Sequence, residues 1–336
     1  MNNTPASLRR LAVTIGDSSG IGPEITARWL ARRHHAIPRN YTVDIMGNCE
    51  ALRDAATRLG IELPSESVEC HYSHIEANSI GETSYQAIVK AAEGCLNETY
   101  FAMTTGPISK TKLKEAGLPY SGHTEILEDL AKKDYPQSQA EMMFFYKQFR
   151  LMLLTRHIAL SEVSTTLTPE SVYASLSQCH QFLHQHLQSS PRIAVMGVNP
   201  HAGEIGGHEE ADILTPAMTS LNTSLETQAF HGPFSADALL RGFDPSTPSY
   251  DAYVAAYHDQ GLIPMKLLAG LHAVNVTIGL PFLRTSVSHG TAEDIAGLGI
   301  ADETSLIAAT DMAFALSQQH SVPIPEALTI PQNQTI

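Results

Sequence analysis

Short apolar runs alternate with longer stretches of helical periodicity along most of the chain, and this rhythm restricts the fold more than any other feature. Strands separated by helices cannot be joined by hairpins, so the pattern predicts an α/β protein with a largely parallel sheet. Residues 11–15 read as the first strand. They run into Gly16-Asp-Ser-Ser-Gly-Ile-Gly22, and Pro23 then suits the first turn of a helix that continues towards Arg33. Residues 43–46, 100–103, 150–154, 192–197 and 252–256 read as further strands. Residues 51–59, 84–96, 169–187, 209–225 and 302–317 read as helices. The tail from Val322 is rich in proline and polar residues and reads as loosely held.

Composition narrows the class. A chain of 336 residues with 43% apolar and 17% charged residues is globular and has room for two domains. The net charge of −14 argues against general nucleic-acid binding, which needs a basic face. The four cysteines form no Cys-x-x-Cys pair, so neither a zinc ribbon nor a disulfide framework is indicated. The first ten residues include Arg9 and Arg10 but lead into no long apolar segment, so no secretory signal is read there. The most apolar stretch elsewhere, 142–154, is broken by Lys147 and Arg150, and a bilayer span needs about 20 apolar residues. A soluble cytoplasmic protein without membrane or nucleic-acid partners is expected.

The segments just past the strands carry the chemistry. Residues 150–154 lead into Thr155-Arg-His157, 192–198 into Asn199-Pro-His201-Ala-Gly-Glu204, and 252–257 into His258-Asp-Gln-Gly261. Each time a histidine falls just past the carboxyl end of an apolar strand, the edge at which α/β sheets bind ligands. A single histidine at such a place is ordinarily a hydrogen-bonded loop residue. Three at equivalent positions point to a metal site with coordination positions open to substrate. The other histidines among the sixteen lie mostly in polar or helical surroundings and read as surface residues.

A second group suits an anion. Ser121-Gly-His123-Thr124-Glu125 precedes a helix over 126–132, and backbone N–H groups at a helix start attract negative charge. Thr124 is equally suited to be a simple cap. Lys266 comes soon after the His258 turn, and Arg284 sits in the apolar stretch Gly279-Leu-Pro-Phe-Leu-Arg-Thr-Ser286. Both are natural partners of phosphate or carboxylate, although a lone cation is more often a solvated surface charge. The loop 16–22 is neither Gly-x-Gly-x-x-Gly nor a P-loop, so it reads only as a tight turn from strand to helix.

Taken in order, these segments resemble the 4-hydroxythreonine-4-phosphate dehydrogenase family of vitamin B6 biosynthesis. The resemblance rests on Thr14-Ile-Gly-Asp-Ser-Ser-Gly-Ile-Gly-Pro-Glu24, Thr105-Gly-Pro-Ile108, Ser121-Gly-His-Thr-Glu125, His157 and Val198-Asn-Pro-His-Ala-Gly-Glu204. It continues through Tyr257-His-Asp-Gln-Gly261, Asn275-Val-Thr-Ile-Gly-Leu-Pro-Phe-Leu-Arg-Thr-Ser286 and His289-Gly-Thr-Ala292. It implies an isocitrate/isopropylmalate-dehydrogenase-like fold of two α/β/α domains with a cleft between them. Residues 1–117 and 276–336 would form a discontinuous first domain, and 118–275 a second carrying most metal and dimer contacts. It implies a homodimer with active sites at the subunit interface and a divalent metal (zinc, cobalt or magnesium) on His157, His201 and His258. Substrate contacts map onto His123, Thr124, Lys266, Asn275 and Arg284, and the cofactor is NAD or NADP. Asp237 matches a position near the cleft, as an acid/base residue or a helix N-cap.

The reaction so implied is oxidation of 4-phosphohydroxy-L-threonine to a 3-keto acid that decarboxylates to 3-amino-2-oxopropyl phosphate, with the metal as Lewis acid. Alternatives are a paralogous dehydrogenase acting on 4-phospho-D-threonate or 4-phospho-D-erythronate, and a metal-dependent phosphatase or hydrolase. Two departures stand out. The family's Gly-Asp-Pro-Ala-Gly is Gly16-Asp-Ser-Ser-Gly20 here, and loss of the proline is expected to loosen the turn. Glu204-Ile-Gly-Gly-His-Glu-Glu210 is shorter than the usual glycine-rich loop, and His208 within it reads as loop structure, not as a fourth ligand.

Overall fold

The computed structural model describes residues 8–317 apart from 39, 68, 188 and 189. The tail from Val322, and with it the end of the expected first domain, lies outside the described residues. The strands are β1 (Arg9–Thr14), β2 (Tyr41–Gly47), β3 (Cys70–His74), β4 (Ala102–Thr105), β5 (Glu141–Tyr146), β6 (Phe149–Leu153), β7 (Ile193–Met196), β8 (Phe230–Phe234), β9 (Ala252–Ala255), β10 (Val274–Ile278) and β11 (Leu283–Ser286). The chain divides into two compact units, 8–140 with 274–317 and 141–273.

In the first unit the strand order is β3-β2-β1-β4-β11-β10. All neighbours are parallel except β10 and β11. β1 is short and apolar, and its side chains from Leu11 to Val13 are fully buried. At its end Gly16 has φ +82, and a Cβ there would lie 2.2 Å from the Pro107 carbonyl. Gly106 meets the Ile15 carbonyl just as closely, so the loops after β1 and β4 pack backbone against backbone. The next turn is held, not loosened. The Ser19 N–H and hydroxyl both donate to Asp17 Oδ1, at 2.8 and 2.6 Å, and Lys112 Nζ donates to the Ser19 hydroxyl. Side-chain hydrogen bonds thus replace the stiffness of the missing proline.

The helix His123–Lys132 lies in the first unit, not in the second as the resemblance implied. Ile126, Leu127 and Leu130 pack in one core with Ala91, Met103 and Leu113, and this apolar burial decides where the segment belongs.

In the second unit the order is β5-β6-β9-β7-β8. β5 and β6 form an antiparallel hairpin that turns at Lys147, φ 52. β6, β9, β7 and β8 are parallel. The second core gathers Phe149, Leu151, Leu153, Ala194, Met196 and Tyr253, with Leu262 and Met265 from the helix His258–Ala269 covering them. Among the described residues, no helix is long and apolar enough to cross a membrane.

Candidate functional site

The order β6-β9-β7 sets the carboxyl ends of three parallel strands side by side. His157, His258 and His201 come within a few residues of these three ends. His258 opens a helix directly and is not a loop residue. The residues around it explain the His-Asp-Gln-Gly spacing. Gln260 accepts from the Ala256 N–H and donates to the Gly197 carbonyl, both at 2.7 Å, and so staples the end of β9 to the end of β7. A Cβ on Gly261 would press 2.8 Å from the methyl ends of both Leu151 and Leu153, so glycine lets the helix sit against β6 without moving those leucines. Asp259 Oδ1 lies 2.7 Å from His258 Nδ1. A carboxylate there accepts the Nδ1 proton and leaves Nε2 as the ring's donor to a metal.

The rings of His157 and His258 have centroids 5.7 Å apart. An imidazole nitrogen binds a divalent transition metal at about 2 Å, which sets ring centres of two ligands of one ion on the order of 5 Å apart. The donor type and the spacing of this pair therefore fit a metal. The third ring is not gathered with them: among the described residues, no three His, Cys, Asp or Glu side chains converge closely enough to hold an ion.

His201 occupies an unusual turn. His201 and Ala202 have φ of 55 and 54, and Gly203 has φ 91. Two successive non-glycine residues in the left-handed region cost about 1–2 kcal/mol each. A network of acceptors holds this turn. The Asn199 N–H donates to Glu210 Oε1 at 2.7 Å, and Asn199 Nδ2 donates to Glu210 Oε2 at 2.9 Å and Glu209 Oε2 at 2.7 Å. The Ser164 hydroxyl and then the Asn199 amide hold the Glu209 carboxyl down at about 2. Asp237 is exposed and accepts from the Ser235 hydroxyl, which lowers its proton affinity, with a smaller contribution from nearby His201. Ser235, not Asp237, is the residue before that short helix, so the N-cap alternative is set aside. Lys266 is exposed on the helix His258–Ala269, with no carboxylate partner among the described residues. His208 is exposed in the loop, where its N–H donates to Glu209.

The first unit carries the second group. Arg284 on β11 is 2% exposed. Its guanidinium donates to Thr105 Oγ1 at 2.7 and 3.2 Å and to Thr277 Oγ1 at 2.9 Å, and among the described residues no carboxylate pairs with it. Burial pulls it down to about 9, so it is still charged at neutral pH. A buried cation served only by hydroxyls is costly unless an anion completes it. The cross-strand register puts Asn275 and Thr277 on the same face, and Asn275 Oδ1 is buried without a partner. His123 stands close enough to feel the Arg284 charge. Burial first, and that charge second, push its imidazole well below the usual range, against a hydrogen bond to the Gly106 carbonyl. Its Nε2 is buried and unpartnered. Thr124 lies in the open first turn of the helix His123–Lys132, which has no side-chain cap. Sequence reading named His123, Thr124, Asn275 and Arg284 but missed Thr105 and Thr277, the hydroxyls that hold the guanidinium.

It also missed a cleft of about 350 Å³ in the first unit. Ser18, Ser19, Gly20, Glu24, Arg58 and Gly297 line it. Glu24 is 2% exposed, and its Oε1 accepts from the Gly297 N–H while Oε2 is unpartnered.

Solved structures place the architecture. A β-decarboxylating dehydrogenase from Thermococcus kodakarensis aligns with a TM-score of 0.52 at 14% identity, over 91% of this chain and 82% of that one. The chain thus has a mixed α/β fold resembling that structure. A family model described as "Pyridoxal phosphate biosynthetic protein PdxA" matches residues 27–313. The 4-hydroxythreonine-4-phosphate dehydrogenase of Geobacter metallireducens is 38% identical over 94% of this chain and 97% of its own. The crystal structure of the Klebsiella pneumoniae 4-hydroxythreonine-4-phosphate dehydrogenase gives a TM-score of 0.77 at 30% identity, over 92% of this chain and all of that one. The chain belongs to the PdxA family of pyridoxal phosphate biosynthesis, and it is an oxidoreductase.

Proposed function

We propose that this chain oxidises 4-phosphohydroxy-L-threonine with NAD or NADP, giving a 3-keto acid that loses CO2 to form 3-amino-2-oxopropyl phosphate. The observation that carries the reading is Arg284: a buried guanidinium braced by hydroxyls, with no carboxylate partner among the described residues, is prepared for a phosphorylated substrate. His123 and the helix start at Thr124 complete the phosphate seat. Asn275 and Lys266 contact the rest of the substrate. His157, His201 and His258 hold the divalent metal, which when bound supplies Lewis acidity towards the substrate hydroxyl. Ser235 keeps Asp237 ionised, so its role in proton transfer is that of an acceptor, and a weak one because its proton affinity is lowered. The adenosine end of the dinucleotide sits in the cleft beside Glu24, whose unpartnered Oε2 accepts from ribose hydroxyls. The protein acts as a homodimer. Ile263 and Leu267, one helical turn apart and 56% and 81% exposed, form with Leu268 and Leu271 an apolar surface that supports a subunit contact.

The test is an assay of the purified protein with divalent metal, NAD or NADP, and 4-phosphohydroxy-L-threonine, following reduced nicotinamide. Reduction is expected, and Arg284→Gln should raise KM at least tenfold with a smaller loss in kcat. Reduction with 4-phospho-D-threonate or 4-phospho-D-erythronate alone would move the assignment to the paralogous dehydrogenases. Release of inorganic phosphate without reduction would make the protein a hydrolase.

A further inference from the structure

We propose that Glu210 is a positioning residue that acts through Asn199 to hold the strained turn carrying His201 and so tunes His201 as a metal ligand; this rests on the reading of His157, His201 and His258 as metal ligands, whose third ring is not gathered with the other two among the described residues. The carboxylate sits inside the turn. Ideal Cβ atoms on Gly197 and Gly203 would lie 3.0 Å from Glu210 Oε1 and 2.9 Å from Oε2, so the glycines at both ends make room for it. It is 6% exposed and takes two hydrogen bonds from Asn199, one from the main chain and one from the side chain. The second amide hydrogen of Asn199 goes to Glu209. Since carboxylates only accept, the orientation of the Asn199 amide is fixed. Asn199 is thus clamped two residues before His201.

The clamp opposes a definite cost. His201 and Ala202 are both left-handed, and without a tether the turn relaxes towards ordinary backbone and carries the imidazole away. The carboxylates come from the start of a π-helical turn, Glu210–Leu214, that leads into the helix Thr215–Ser224. A π-turn at this point brings Glu209 and Glu210 onto Asn199 together, which fits the tendency of such turns to mark functional sites. In Glu210→Gln the new amide cannot accept at both oxygens, and an N–H group then meets an Asn199 donor. His201 is not touched, so any effect on the metal is transmitted through the turn.

The experiment is a titration of the metal-free protein with Co(II), read by calorimetry and by visible absorption. It compares wild type, His201→Ala, Glu210→Gln, the double variant, and Asn199→Ala as a route to the same loss should Glu210→Gln fold poorly. Glu210→Gln and Asn199→Ala are expected to weaken Co(II) binding about 10- to 100-fold, as loss of an outer-shell partner does. In the His201→Ala background Glu210→Gln is expected to add nothing, because its effect passes only through His201. An unchanged affinity in Glu210→Gln and Asn199→Ala, with His201→Ala impaired, overturns the clamp alone. An equal loss in both backgrounds also overturns it, since Glu210 then supports the unit generally. Equal binding by wild type and His201→Ala overturns the clamp together with the metal reading.

Discussion

At the scale of single residues, the site is defined by polar groups buried without their usual partners. Among the described residues Arg284 lacks a carboxylate, His123 has an unpartnered Nε2 and Asn275 an unpartnered Oδ1, all on one unit. Such groups lower stability and are kept where a ligand supplies what is missing. His123 makes this measurable. Its folded proton affinity is depressed, so below its ordinary value of 6.5 the unfolded chain binds a proton that the folded chain refuses. Stability contributed by the neutral ring is complete above pH 6.5 and is lost progressively as pH falls below it. Urea midpoints measured at neutral and mildly acid pH should therefore drop less in His123→Asn than in wild type. Parallel drops in the two proteins would show that His123 is not held neutral. His123 and Arg284 were legible in the sequence because a histidine before a helix and an arginine in an apolar run are conspicuous. Thr105 and Thr277 were not, because a threonine in a strand is unremarkable until the register puts it beside a guanidinium.

At the scale of elements, strands buried as apolar runs could be read, and strands with polar side chains on their faces could not. β1, β2, β4, β6, β7 and β9 emerge from their hydrophobic runs. β10, Val274–Ile278, and β11, Leu283–Ser286, place Asn, Thr, Arg and Ser on their faces, so no apolar run marked them. β5 was not read as a strand: the reading there begins at 150, and the hairpin turn before it uses Lys147 in place of the glycine or asparagine that would mark it. The glycine loop after β1 was read correctly as a tight turn, but its reason lay in Pro107, far away in sequence. Gly16→Ala tests that reason. It adds a Cβ 2.2 Å from a carbonyl oxygen at φ +82, and should cost about 2 kcal/mol or more. A thermal midpoint lowered by several degrees is expected. A midpoint equal to wild type would mean that the β1 and β4 loops do not pack as described.

At the scale of the molecule, the proposed homodimer rests on the apolar surface around Leu267. An exposed leucine on the helix that begins with His258 links assembly to the histidine edge through one rigid element. Leu267→Glu should convert the proposed dimer to a monomer in light scattering after size-exclusion chromatography, because it buries charge against apolar surface. A dimer of undiminished affinity would place the subunit contact elsewhere.

The connectivity of the first unit also dictates the order in which a nascent chain can be completed. β1 to β4 leave the ribosome first and can pair with one another, but β4 then stands as an open edge. Its missing neighbour, β11, is made only after the whole of residues 141–273. During synthesis the first unit therefore waits with an unpaired strand exposed, an invitation to mispairing that a chaperone would have to cover. The strand that finally closes the gap carries Arg284, so the proposed anion seat is among the last parts of the protein to exist.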